Sequence, residues 1–147
     1  MKKIVFAIFA CVIIGFIWVS IPKKQEPISG SCIREMKEWS TTLKSVNELA
    51  YLSIRFAKAD MKTAKNNVEL AKTIFFQMSV PTCYNEETVA SVQREENIII
   101  SNLELAFANI DQGRYVDATN LMISVENHIE NVRVYLDSFD NVTVEGE

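Results

Sequence analysis

Residues 32–83 read CIREMKEWSTTLKSVNELAYLSIRFAKADMKTAKNNVELAKTIFFQMSVPTC. Between Cys32 and Val80 there is neither glycine nor proline. Strand-rich domains need frequent turn residues, so this stretch reads as helix. Met36, Trp39, Leu43, Val46, Ala50, Ile54 and Ala57 recur at steps of three and four. Met61, Ala64, Val68, Ala71, Phe75 and Met78 continue the pattern. Such steps lay one apolar seam along a helix, as bundle packing requires.

The break between the two seams is weak. A single helix over 32–79 would run roughly 72 Å. Two helices need a cap, and Ser53 or Asp60 can supply it. Cys32 opens the first seam and Cys83 follows the second. A hairpin returns both to one pole, where Cα atoms can approach within the ~7 Å a disulfide needs. A single helix would hold them roughly 70 Å apart. Two cysteines in an exported domain therefore support hairpin and bridge together. Two free thiols in a reducing compartment, or a bridge between chains, remain the alternatives.

The second half carries two more seams. Val89, Val92, Glu96, Ile99, Leu103, Ala106 and Ile110 form one, with Glu96 its polar intruder. Tyr115, Ala118, Met122, Val125, Ile129, Val132, Leu136 and Phe139 form the other. Pro81 and the caps Asn85 or Thr88 separate the second helix from the third. Gly113 suits the left-handed position that ends the third. The expected fold is all-α: an N-terminal transmembrane helix, then an antiparallel four-helix bundle of two αα-hairpins over residues 31–140. Trp39, Phe75, Phe76, Phe107, Tyr115, Tyr135 and Phe139 fall at core or boundary positions.

Ahead of the bundle, Met1-Lys2-Lys3 precedes Ile4–Ile21, eighteen residues without a charge. As a helix they reach roughly 27 Å, close to the hydrocarbon thickness of a bilayer. Trp18 and Ser20 make a poor cleavage site, so residues 1–24 are expected to anchor the chain in a membrane. Cleavage, leaving a secreted domain, is the second reading. Residues 25–30 form a linker and 141–147 a flexible tail. Cys11 lies inside the apolar run and reads as a small apolar filler. Asn141-Val142-Thr143 fits a glycosylation sequon.

Residues 32–80 hold eight Lys+Arg against five Asp+Glu, a balance of +3. Residues 84–147 hold three against thirteen, a balance of −10. Net charge is −4, which disfavours nucleic acid as a partner. The asymmetry suits two hairpins that attract one another, or an acidic surface offered to a partner. Glu95, Glu104, Asp117, Glu126 and Glu130 are the candidate partner surface.

Little in the sequence points to catalysis. His128 is the only histidine, too few for a di-iron bundle, and it reads as a boundary residue. Glu95 and Glu96 are adjacent and point about 100° apart on a helix, so they do not converge. Glu96 is expected to meet a lysine or arginine of the basic hairpin, with a place lining a polar notch as the alternative. No cofactor or metal site is expected, and no nucleophile–base pair can be named. Two functions remain. One is a membrane-anchored extracytoplasmic binding or scaffolding module with a protein partner and no catalytic activity. The other is an extracytoplasmic small-molecule sensor or carrier, with a pocket between the hairpins near Trp39 and Glu96.

Cys32, Trp39 seven residues on, the long helical pair and Pro81-Thr82-Cys83 ahead of an acidic helix resemble a group of uncharacterised bacterial extracytoplasmic helical proteins. Those pair an early cysteine with a Pro-x-Cys. The resemblance spans residues 32–110. It departs at the middle turn, where such proteins often have Thr-Pro and this chain has Ser53-Ile54. It implies a bridged helical hairpin.

Overall fold

The computed structural model describes residues 28–140. The expected anchor Ile4–Ile21 and the sequon lie outside them. Four helices follow one another: α1 Gly30–Phe56, α2 Met61–Gln77, α3 Glu86–Asp111 and α4 Tyr115–Asp140. Among the described residues no helix is long and apolar enough to cross a membrane.

Each boundary has a local cause. Ser29 caps α1 by accepting from the Cys32 amide at 3.2 Å. At the weak break Asp60 is the cap. Its Oδ1 accepts from the Thr63 amide at 3.0 Å, and its Oδ2 accepts from the Thr63 hydroxyl at 2.6 Å. Those bonds hold the Asp60 carboxyl below its ordinary pKa. Ser53 caps nothing: it is buried within α1 and donates to the Leu49 carbonyl at 2.7 Å. Asn85 caps α3 by accepting from the Thr88 amide at 3.0 Å, with Glu86 and Glu87 in the first turn against the helix dipole. α3 ends in a Schellman turn. The Arg114 amide donates to the Asn109 carbonyl at 2.8 Å and the Gly113 amide to Ile110 at 2.9 Å. Gly113 takes φ +73°, which a side chain would resist.

Helix packing is closest within each pair, α1 on α2 and α3 on α4. Thinner contacts join α1 to α4 and α2 to α3, and α1 touches α3 across the core. The result is a bundle of two hairpins. One pole gathers the starts of α1 and α3, the end of α4 and the Cys32–Cys83 disulfide, whose Cα atoms lie 5.6 Å apart across 51 residues. Tyr84 and Trp39 pack on Phe139 at the same pole, with ring centroids 5.3 and 5.8 Å away. The distal pole, about 40 Å along α1, gathers the two interhelical turns.

The seams form the core. Leu43, Val46, Val92, Ile99, Leu103, Val125 and Val132 are fully buried. Two expected core or boundary positions are not. Phe76 is 64 % exposed, because it lies about 100° round α2 from the seam residue Phe75. Tyr115 is 66 % exposed, because as the first residue of α4 it stands beyond the last core layer. The opposite charges of the hairpins meet in exposed pairs on α2 and α3: Lys65 with Asp111 at 2.7 Å, and Lys72 with Glu104. The Glu104 carboxylate raises the Lys72 pKa.

Burial dominates over these exposed pairs. Leu103→Ala should cost ~2–5 kcal/mol in urea unfolding. Lys65→Ala should cost under ~1 kcal/mol. Cys83→Ser removes a crosslink that closes a loop of 51 residues and should cost about 4 kcal/mol in the same assay.

Candidate functional site

Two features stand out against the packed seams: a sealed polar group at mid-height and a groove at the distal pole. Glu96 lies on the α3 seam and is fully buried. Neither of its carboxyl oxygens has a hydrogen-bond partner. The expected lysine or arginine partner is absent, and the correction has a clear cause. The cations of α2 that cross to the second hairpin, Lys65 and Lys72, are spent on Asp111 and Glu104 at the surface. What α1 brings to Glu96 is Asn47, close enough for its amide to affect the carboxyl but without a bond of good geometry. Burial pushes the Glu96 pKa up to about 8, against the smaller opposing effect of the Asn47 amide.

The groove that Trp39 borders does not include Glu96. Trp39 borders a groove of about 440 Å³ within the first hairpin, between α1 and the Met78–Pro81 segment. Its indole Nε1 is buried without a partner. Asn47, the neighbour of Glu96, lies eight residues further along α1, about 12 Å away along the axis.

The second groove, of about 650 Å³, opens between the two hairpins at the distal pole. Ile54 and Ala57 of α1, Ile110 at the end of α3, and Ala118, Met122 and Ile123 of α4 give it apolar walls. Arg55, Lys58, Tyr115, Thr119 and Glu126 complete the lining. Arg55 stands over the Tyr51 ring at 5.8 Å. Among the described residues, Arg55, Lys58 and Glu126 enter no ion pair.

The five acidic candidates are spread over the second hairpin, and the structure divides them. Glu95 is half-buried and accepts from His128 Nδ1 at 2.7 Å and from the Asn131 amide at 3.1 Å. Burial raises its pKa, and these two bonds more than offset the rise, leaving it below the ordinary value. Glu104 pairs with Lys72, and Glu130 with Arg133 at 2.9 Å. Asp117 and Glu126 remain exposed without an ion pair, and both lie on the part of α4 nearer the distal pole. His128 is a boundary residue whose partner comes from α3 rather than from its own helix. Among the described residues no group of three His, Cys, Asp or Glu could hold a metal ion.

The chain matches no protein-family profile, no curated protein and no solved structure. Sequence reasoning did not single out Asn47, Ser40 or Asn109, all buried polar residues. Asn47 had a legible signal, since it follows the seam residue Val46 and so borders the apolar face.

The Glu96 carboxyl has a folded-state pKa of about 8 against an ordinary 4.5. The folded state therefore holds a proton that the unfolded chain releases. Stability from this group is complete below pH 4.5, falls as pH rises, and levels off above about 8. Glu96→Gln keeps the shape and cannot ionise. It should match the parent near pH 4, exceed it by about 3 kcal/mol at pH 7, and flatten the slope between, as read from urea unfolding across that range.

Proposed function

We propose that the chain is a membrane-anchored extracytoplasmic binding module without catalytic activity, and that the distal groove takes a protein partner. The observation that carries this reading is a coincidence of place. The described chain enters the bundle at the disulfide pole, where Ile28 packs on the core. An anchor at Ile4–Ile21 would hold that pole towards the membrane and turn the opposite one outward. The outward pole is where the groove lies and where Arg55, Lys58, Asp117 and Glu126 are left without ion pairs. An apolar slot ringed by charges of both signs suits a partner side chain or helix end with complementary charges around it. The Cys32–Cys83 bridge supports an oxidising compartment.

A small-molecule carrier is the second reading. The observation in its favour is the groove volume of about 650 Å³, which lies within the range of small-ligand sites. Its apolar lining and two basic side chains would suit an amphiphilic anion.

The test is site-specific photocrosslinking of the full chain in its own membranes. Probes at Ile123 and Tyr115 should give one discrete protein adduct, and a probe at the exposed Asn97 of α3 should give none. Arg55→Glu with Lys58→Glu should weaken the adduct severalfold. Adducts of equal strength from Asn97, or none from the groove, would remove the docking reading; a bound amphiphile recovered by mass spectrometry of the purified chain would replace it. Membrane retention through a high-salt wash tests the anchor, and an N-terminus near Ser31 would show cleavage.

A further inference from the structure

The polar group at mid-core has a chemical requirement that its surroundings leave unmet. Glu96 Oε1 and Oε2 and Asn47 Oδ1 are buried acceptors without donors. Each hairpin contributes one side, Asn47 from α1 and Glu96 from α3. A carboxylate accepts only, so ionised Glu96 cannot satisfy the Asn47 carbonyl. A carboxylic acid donates once: its O–H can bond Asn47 Oδ1, and the oxygen left over is a neutral acceptor rather than a bare charge. The Asn47 amide acts on Glu96 in the direction that favours the ionised form, but its effect is smaller than the cost of burial. A carboxylate sealed from water needs several such bonds, and no charged group contributes to its surroundings.

The neighbouring elements confirm its isolation. On α1, Lys44 and Glu48 flank Asn47 and are both exposed. On α2, Lys65 and Lys72 turn to Asp111 and Glu104. On α4, His128 bonds Glu95, and Arg133 bonds Glu130. On α3 itself Arg94 is exposed and Glu95 is engaged by His128 and Asn131.

The fold also says where an uncompensated charge would act. Packing between the hairpins is thinner than packing within them. At the disulfide pole the hairpins are held by the short link through Cys83 and by the stacking of Trp39 and Tyr84 on Phe139. At the distal pole α1 and α4 face each other across the groove.

We propose that Glu96 and Asn47 form a proton-operated latch between the hairpins. Protonated, Glu96 donates to Asn47 and holds the hairpins closed. Ionised, it draws water into the core, and the hairpins part at the distal pole and widen the groove. The step is a single proton exchange with solvent and breaks no covalent bond. The latch regulates the docking site proposed above and rests on that reading for its purpose, though not for its physics.

The test is amide hydrogen exchange on the full chain in detergent micelles at pH 6 and pH 9, corrected for the intrinsic effect of pH. Residues 54–58 and 115–122 should exchange about tenfold faster at pH 9, while residues 33–43 and 132–138 stay protected. Glu96→Gln should abolish the difference, and His128→Gln should leave it intact. An equal rise in Glu96→Gln, no rise in the parent, or a uniform rise over all four helices would each overturn the latch. Because no partner is present, these results stand apart from the crosslinking. Opening without any adduct would sink the docking reading alone, and an adduct without opening would sink the latch alone.

Discussion

Two sulfur atoms joined across 51 residues oblige the chain between them to turn back on itself, and the rest of the architecture follows from that obligation. From Cys32 to Val80 that loop has no glycine or proline, so nothing in its backbone demands a turn between the helices. Asp60 places one, through two bonds to Thr63. Once α1 and α2 lie side by side, two seams face the same direction and remain half covered. The second hairpin supplies the other half of the core. Its own return is enforced locally, by Gly113 in a left-handed turn that needs no crosslink. The bundle thus joins one hairpin closed by covalent chemistry to another closed by backbone geometry.

Much of this was legible because helical spacing is a strong signal when it runs for five or more turns. The four seams, the Asn85 cap, the Gly113 turn and the cysteine pairing could all be read from residue types and intervals. The failures have separate origins. Periodicity says which face a residue occupies, not how far along the axis the core extends. Tyr115 keeps its place in the spacing and yet stands in solvent, because the seam outruns its partners. Phe76 was drawn inward by its size although its position faces out. The partner of Glu96 was misread because charge balance was assigned to whole hairpins. The available cations bond at the surface, where they need not be dehydrated. The distal groove was not legible at all. It arises where α1 ends and α4 begins, and a meeting of helix ends leaves no mark on either sequence.

The charge asymmetry takes on a different meaning beside the packing. Lys65 and Lys72 lie on α2, and their acids lie on α3, so the attraction joins one side of the bundle. The other side, between α1 and α4, contains the groove and the charges left over. The two sides are therefore fastened differently, α2 to α3 by exposed ion pairs and α1 to α4 by apolar packing and the stacking of Trp39 on Phe139.

The difference between the two turns also gives assembly an order. α3 and α4 are in dense contact and joined by three residues, so their contacts are local in sequence and form at little cost in loop entropy. The first hairpin has a longer turn without a left-handed residue and fewer contacts to reward its closure. A chain growing from its N-terminus exposes that slower hairpin first and has to wait for the faster one. Until α3 and α4 arrive, Leu43, Val46 and Val68 have no lid. A Cys32–Cys83 bond formed during that interval would act as a ratchet, preserving a fold-back that the unfinished core could not yet hold by itself.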